Sequence, residues 1–116
     1  MADEQSAAGV DPVVADVPER HRYEISLDGE RAGLTAYVDD GDQRIFYHTE
    51  VDDRFAGRGL ASTLVTEALT DTRARGKRIV PVCPYVAKYL KRHHDFDDIT
   101  DKVTPAALDA VRKAQG

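Results

Sequence analysis

The stretch RFAGRGLAS, residues 54–62, sets two glycines within three residues, an arginine on either side of the first, directly before a helical pattern. From Leu60 the apolar residues Leu60, Ala61, Leu64, Val65, Ala68 and Leu69 recur at helical spacing, and Gly76 stands where a left-handed residue closes a helix of that length. Upstream the period is two. RYEISL (22–27) and RAGLTAYV (31–38) alternate polar and apolar side chains around the tight-turn pair Asp28-Gly29, which predicts a hairpin over 22–38. Asp39-Asp40-Gly41-Asp42 predicts a loop, and QRIFYHTEV (43–51) has the aromatic and β-branched content of a third strand. The quoted stretch is therefore a glycine loop joining an antiparallel meander to a helix.

Downstream, IVPVC (79–83) is short and almost wholly apolar, the mark of a strand covered on both faces. Pro81 cannot donate to a ladder, so this strand must lack a hydrogen-bonding neighbour on one side, at an edge or where the sheet opens. Pro84 suits the first turn of a helix carrying Tyr85, Val86, Tyr89 and Leu90. Thr104-Pro105 is a cap and first turn for a last helix, AALDAVRKA, which either packs on the domain or frays.

Composition bounds the rest. The chain has 116 residues, 41% of them apolar, a formal charge of -5 and no apolar run of membrane-spanning length, enough for one core. Residues 1–20, rich in Ala, Asp, Glu and Pro, lack the basic flank and apolar centre of a secretory signal. They predict a disordered acidic tail before a single domain over 21–116, in the cytoplasm. The one cysteine, Cys83, has no disulfide partner and no metal-spacing pair, so no metal is expected. The acidic balance repels phosphate backbones, and the only basic cluster is KYLKRHH (88–94). Neither a nucleic acid nor a membrane is expected as a partner.

A helix N-terminus presents unpaired N–H groups, and glycines remove the Cβ atoms that keep an anion from them. The loop is thus an anion cradle, or else a glycine pair that only shapes a turn. No Gly-Lys-Ser/Thr ending makes it a P-loop, and the third small residue of the dinucleotide fingerprint is missing.

The pattern Arg54-x-x-Gly57-x-Gly59-x-Ala61 resembles the R/Q-x-x-G-x-G/A signature of the GCN5-related N-acetyltransferase superfamily. HTEV before the loop, GRGLAS into the helix and VPVCPYVAKYLKRH after it resemble its small single-domain, YjdJ-like branch. The resemblance covers about residues 22–98. It implies an α/β fold with a mixed, mostly antiparallel sheet flanked by helices. Two central parallel strands, 44–51 and 79–83, would splay apart, with the pantetheine arm of coenzyme A in the gap. It also implies acetyl-CoA as cosubstrate and a primary amine as acceptor, by direct transfer. The alternative is an acyl-CoA-binding module with little or no turnover. The cofactor-binding residues it implies are Val51, Arg54, Phe55, Ala56, Gly57, Arg58, Gly59, Leu60 and Ala61 along the loop, with Cys83, Pro84 and Tyr89 across the gap.

Four side chains are candidates for the chemistry. Cys83 lies just before a helix N-terminus, where the dipole favours a thiolate nucleophile; a small buried hydrophobe is the other role of such a residue. The resemblance assigns Tyr89 the protonation of the leaving thiolate, and Tyr85 lies on the same helical face. His48 and Glu50, two apart on a strand, point to one face, and either suits a base that deprotonates an attacking ammonium. His93 and His94 stand in HHDF where the branch has H-P-[DE]-[FY], and neither is assigned a catalytic role.

Overall fold

The computed structural model describes residues 11–55 and 59–116, so Ala56, Gly57 and Arg58 of the loop lie outside the described residues. Five strands, β1 (Val13–Val17), β2 (Arg22–Leu27), β3 (Glu30–Asp40), β4 (Gln43–Val51) and β5 (Arg78–Pro81), form one sheet in the order β1-β2-β3-β4-β5. The first four pair antiparallel and β4 pairs parallel with β5. Three α-helices follow the glycine loop: α1 (Leu60–Ala74), α2 (Pro84–Arg92) and α3 (Pro105–Gln115).

The turns form where the residue types predict them. Asp28 and Gly29 both take positive φ, 53° and 79°, the requirement of a two-residue hairpin turn whose twist matches its strands. Gly76 closes α1 at φ 73°, and Thr104 caps α3 by accepting the Ala107 N–H at 3.1 Å.

The tail expected over residues 1–20 needs correction from residue 13 onward. Val13–Val17 pair with Ser26–Arg22 in antiparallel register, and the Tyr37 hydroxyl donates to Asp16 at 2.7 Å. The acidic composition of this segment hides a strand because its stability comes from the backbone of β2, from Val14 on the core and from the buried Asp16 carboxylate, which also lies 3.8 Å from Arg44 and 3.5 Å from Arg75, none of which is local.

One core lies between the sheet and the helices α1 and α2. Leu64, Val65, Ala68 and Leu69 of α1 and Val86 of α2 pack on Tyr23, Ile25, Tyr37 and Phe46. On the other face α3 covers Ile45 and Val80 with Ala107 and Val111, so the last helix packs rather than frays. Arg44, 4% exposed, crosses the first core: it donates to both oxygens of Asp39 at 2.8 and 2.9 Å and to the Tyr23 hydroxyl at 2.7 Å. Tyr23 in turn donates to Asp71 of α1 at 2.6 Å, and burial, with that carboxylate, pushes its pKa up to about 12. A buried charge is tolerable only when so completely paired. No helix among the described residues is long and apolar enough to cross a membrane.

Candidate active site

The site begins where β4 and β5 part. Their pairing runs from Gln43/Arg78 to Phe46/Pro81, and the Cys83 N–H adds a last bond to the Phe46 carbonyl at 2.8 Å. Beyond it β4 continues to Val51 while the chain from β5 turns into α2, so the two walls diverge. Pro81 fits because β5 is the last strand. The Arg78 N–H donates inward to Asp42, whereas the Ile79 carbonyl accepts outward from Asp101, and Pro81 shares the parity of Ile79. Its missing donor thus falls on the open edge.

A bulge decides what each wall presents. Tyr37 pairs with Phe46, but Ala36 pairs with His48, which leaves Tyr47 as an extra residue in β4. Phe46 packs under α1 and Tyr47 against the α3 side. Strict alternation would return His48 to the Phe46 face. Instead Thr49 turns to the helices, while His48 and Glu50 join Tyr47, Leu34 and Ala36 on the α3 side.

Cys83, 3% exposed, is the N-cap of α2, and its Sγ–H donates to Thr49 Oγ1 at 3.3 Å. Thr49 is also 2.9 Å from the hydroxyl of Thr35. Tyr89, 8% exposed, places its hydroxyl 2.6 Å from Thr66 Oγ1 of α1 and stacks its ring on His93 with centroids 4.3 Å apart. His48 and Glu50 do share a face, with Nε2 and Oε2 3.7 Å apart, but it is the face opposite Cys83. The structure therefore brings Cys83 and Tyr89 to the helix side and keeps the histidine–carboxylate pair on the other.

Of the loop residues, Arg54 and Phe55 are already engaged. Both N–H groups bond Asp52, through its carboxylate at 2.9 Å and its carbonyl at 2.9 Å. The Arg54 guanidinium is paired with Glu30 at 2.8 Å and Asp52 at 3.3 Å. That N–H and guanidinium hold the Asp52 carboxyl below the usual carboxylate range. Among the described residues the amides at the start of α1 meet no capping side chain: Gly59 stands at the N-cap with φ 72°, and no acidic residue lies in the first turn. The N-terminal amides and the positive helix end there are left for an anion.

Between α1 and α2 a cavity of about 240 Å³ is lined by Ser62, Tyr85, Lys88, Tyr89, Arg92 and His93. Tyr85 is 39% exposed at its rim, and Lys88 and Arg92 make no ion pair among the described residues. Sequence reasoning did not assign Ser62, Lys88 or Arg92 to a site. The signal was present: positions 85, 88, 89 and 92 fall at i, i+3, i+4 and i+7, one stripe of a helix. The arrangement joins an uncapped helix end, two unpaired cations and a cleft between strands, which suits a long ligand with phosphates at one end and a reactive group at the other.

Comparisons with known proteins bear on the family and the fold. Residues 22–99 match the family described as GCN5-related N-acetyl-transferase. The fold is similar to the solution structure of a GCN5-like protein from Staphylococcus aureus, provisionally assigned as an N-acetyltransferase, with TM-score 0.61 and 16% identity over 80% of this chain and 91% of that one. A looser likeness, TM-score 0.48 and 14% identity over 68% and 48% of the two chains, links it to the ribosomal-protein-S18-alanine N-acetyltransferase of Escherichia coli. No curated protein matches the chain.

Proposed function

The chain belongs to the GCN5-related N-acetyltransferase family, and on that basis we propose that it transfers an acetyl group from acetyl-CoA to a primary amine by direct attack. The observation that carries the reading is the parting of β4 and β5 beside an uncapped helix end and a cationic cavity. The residues present fit coenzyme A: Gly59, Leu60 and Ala61 offer amides to a pyrophosphate, and Lys88 and Arg92 offer charge to phosphate.

Bound acetyl-CoA supplies an activated thioester. The protein's own groups do the rest. His48 or Glu50 accepts the proton of the incoming ammonium, since only the neutral amine attacks. Tyr89 donates its hydroxyl proton to the departing sulfur, and the Thr66 hydroxyl 2.6 Å away orients that phenol. Cys83 lines the acetyl position with its thiol held by Thr49. A lone, buried, unpaired cysteine suits a reducing compartment, and we place the protein in the cytoplasm.

A second reading, an acyl-CoA-binding module without efficient turnover, is favoured by one observation. The base pair and the Tyr89 hydroxyl sit on opposite sides of the sheet, and Tyr89 is already bonded. Thermal midpoints with acetyl-CoA, CoA, NAD and ATP, with Gly57→Glu as control, test binding. Stabilisation by the two coenzyme forms alone, lost in the variant, is expected. Steady CoA release with an amine then selects the enzyme, and background hydrolysis alone selects the module. No shift with any coenzyme form refutes both.

A further inference from the structure

The open face of the sheet is built as a second site. Registers across β2, β3 and β4 align Arg22, Ala36 and His48 in one row and Glu24, Leu34 and Glu50 in the next. Leu34 and Ala36 form an apolar floor, and the walls on β2 and β4 stand two strand spacings apart, about 10 Å. The groove, about 360 Å³, is lined also by Tyr47, Gln115 and Arg20.

Its charges are unevenly satisfied. Glu24 is bonded by Arg22 at 2.8 Å and approached by Arg31 at 3.8 Å. Among the described residues Glu50 has only His48, at 3.7 Å, and that partner is cationic only when protonated. Arg20 makes no ion pair or hydrogen bond among the described residues. A groove with an under-compensated carboxylate on one wall and a free guanidinium at its border fits a molecule carrying both signs of charge.

Resting on the acetyltransferase reading above, we propose that this groove is the acceptor site and that the acceptor is a small zwitterion of amino-acid type, an amine that also carries a carboxylate. Its ammonium lies against Glu50 and His48, on the strand that borders the cleft, and its carboxylate against Arg20. Where β4 and β5 part, the ammonium gives one proton to the Glu50–His48 pair, the nitrogen–carbon bond forms as the carbon–sulfur bond breaks, Tyr89 protonates the departing sulfur, and the second proton of the nitrogen returns through water to the Tyr89 phenolate, so that one proton in all passes from the pair to solvent. A polyamine is disfavoured because its second ammonium would face Arg20 and Arg22.

Each acceptor is compared with the same molecule lacking only its carboxylate, L-lysine with cadaverine and L-alanine with ethylamine, by CoA release under saturating acetyl-CoA. For one or both pairs the carboxylated member is expected to show at least about tenfold higher kcat/KM, the share of one arginine–carboxylate contact. Arg20→Gln is expected to bring that ratio towards one through a raised KM. A ratio near one in the unaltered protein, or one that Arg20→Gln leaves unchanged, overturns the assignment. The thermal shift with acetyl-CoA is read on the same preparations. A shift with no preference for the carboxylated amine sinks the groove alone, whereas no shift sinks the acetyltransferase reading with it.

Discussion

Replacing Lys88 and Arg92 by Gln tests the cavity between α1 and α2 most directly. The two side chains lie one helical turn apart, line the same cavity and are exposed, without ion-pair partners among the described residues. A charge-assisted bond to phosphate contributes about 1.5–3 kcal/mol when shielded from water. Exposure reduces this to about 1 kcal/mol each. The double variant should therefore lose about 2 kcal/mol, roughly thirtyfold in Kd for CoA. Lys91→Gln is the control, because Lys91 is exposed on the same helix but does not line the cavity, so it changes net charge alone. Isothermal titration at low and high salt separates the two effects, since a general field is screened over about 10 Å at 0.1 M salt. If Lys91→Gln weakens binding as much as Lys88→Gln, the cavity is not where the phosphates sit and the reasoning fails.

Three further outcomes are expected. Cys83→Ala should keep turnover within about threefold under direct transfer, whereas a covalent route through the sulfur would lose about a thousandfold; steady-state CoA release decides. Tyr23 has its folded pKa raised from 10.0 to about 12, so its contribution is fully present below pH 10 and is lost as pH rises towards 12. That rise corresponds to about 3 kcal/mol, and Tyr23→Phe should show a shallower loss of stability across this alkaline window in denaturant titrations. A Cβ at Gly33 would lie 2.6 Å from the Glu50 carbonyl and 3.2 Å from the Val51 Cα. Gly33→Ala should therefore displace the end of β4 at a cost of about 1–3 kcal/mol, lowering the melting temperature and raising the acceptor KM.

Most of the fold was legible because its signals are local. Asp28-Gly29 fixes the hairpin, the spacing of Leu60, Leu64, Val65, Ala68 and Leu69 fixes the face of α1, and Thr104 marks the start of α3. What escaped depends on partners distant in the chain. β1 is held by the backbone of β2 and by the buried contact of Asp16 with Tyr37, and no pattern within Val13–Val17 announces either. The bulge at Tyr47 is set by how β3 and β4 align, so the shared face of His48 and Glu50 could be read from spacing of two, but not which face it is. The resemblance sets Arg54 in the cofactor loop, and nothing local to it shows that Glu30, across a hairpin, pairs with its guanidinium. Lys88 and Arg92 read as a generic basic cluster until the helix set them beside Tyr85 and Tyr89.

The parallel pairing of β4 with β5 also orders events in time. The four antiparallel strands are joined by short turns and close through local contacts, whereas Gln43 meets Arg78 only after the whole of α1 intervenes. Closing a longer loop costs more chain entropy and slows folding, so the meander precedes the cleft. During synthesis β4 waits with a bare hydrogen-bonding edge until the ribosome has released α1 and β5. In that interval residues 43–46 of β4, which β5 later pairs, are an open template for other chains.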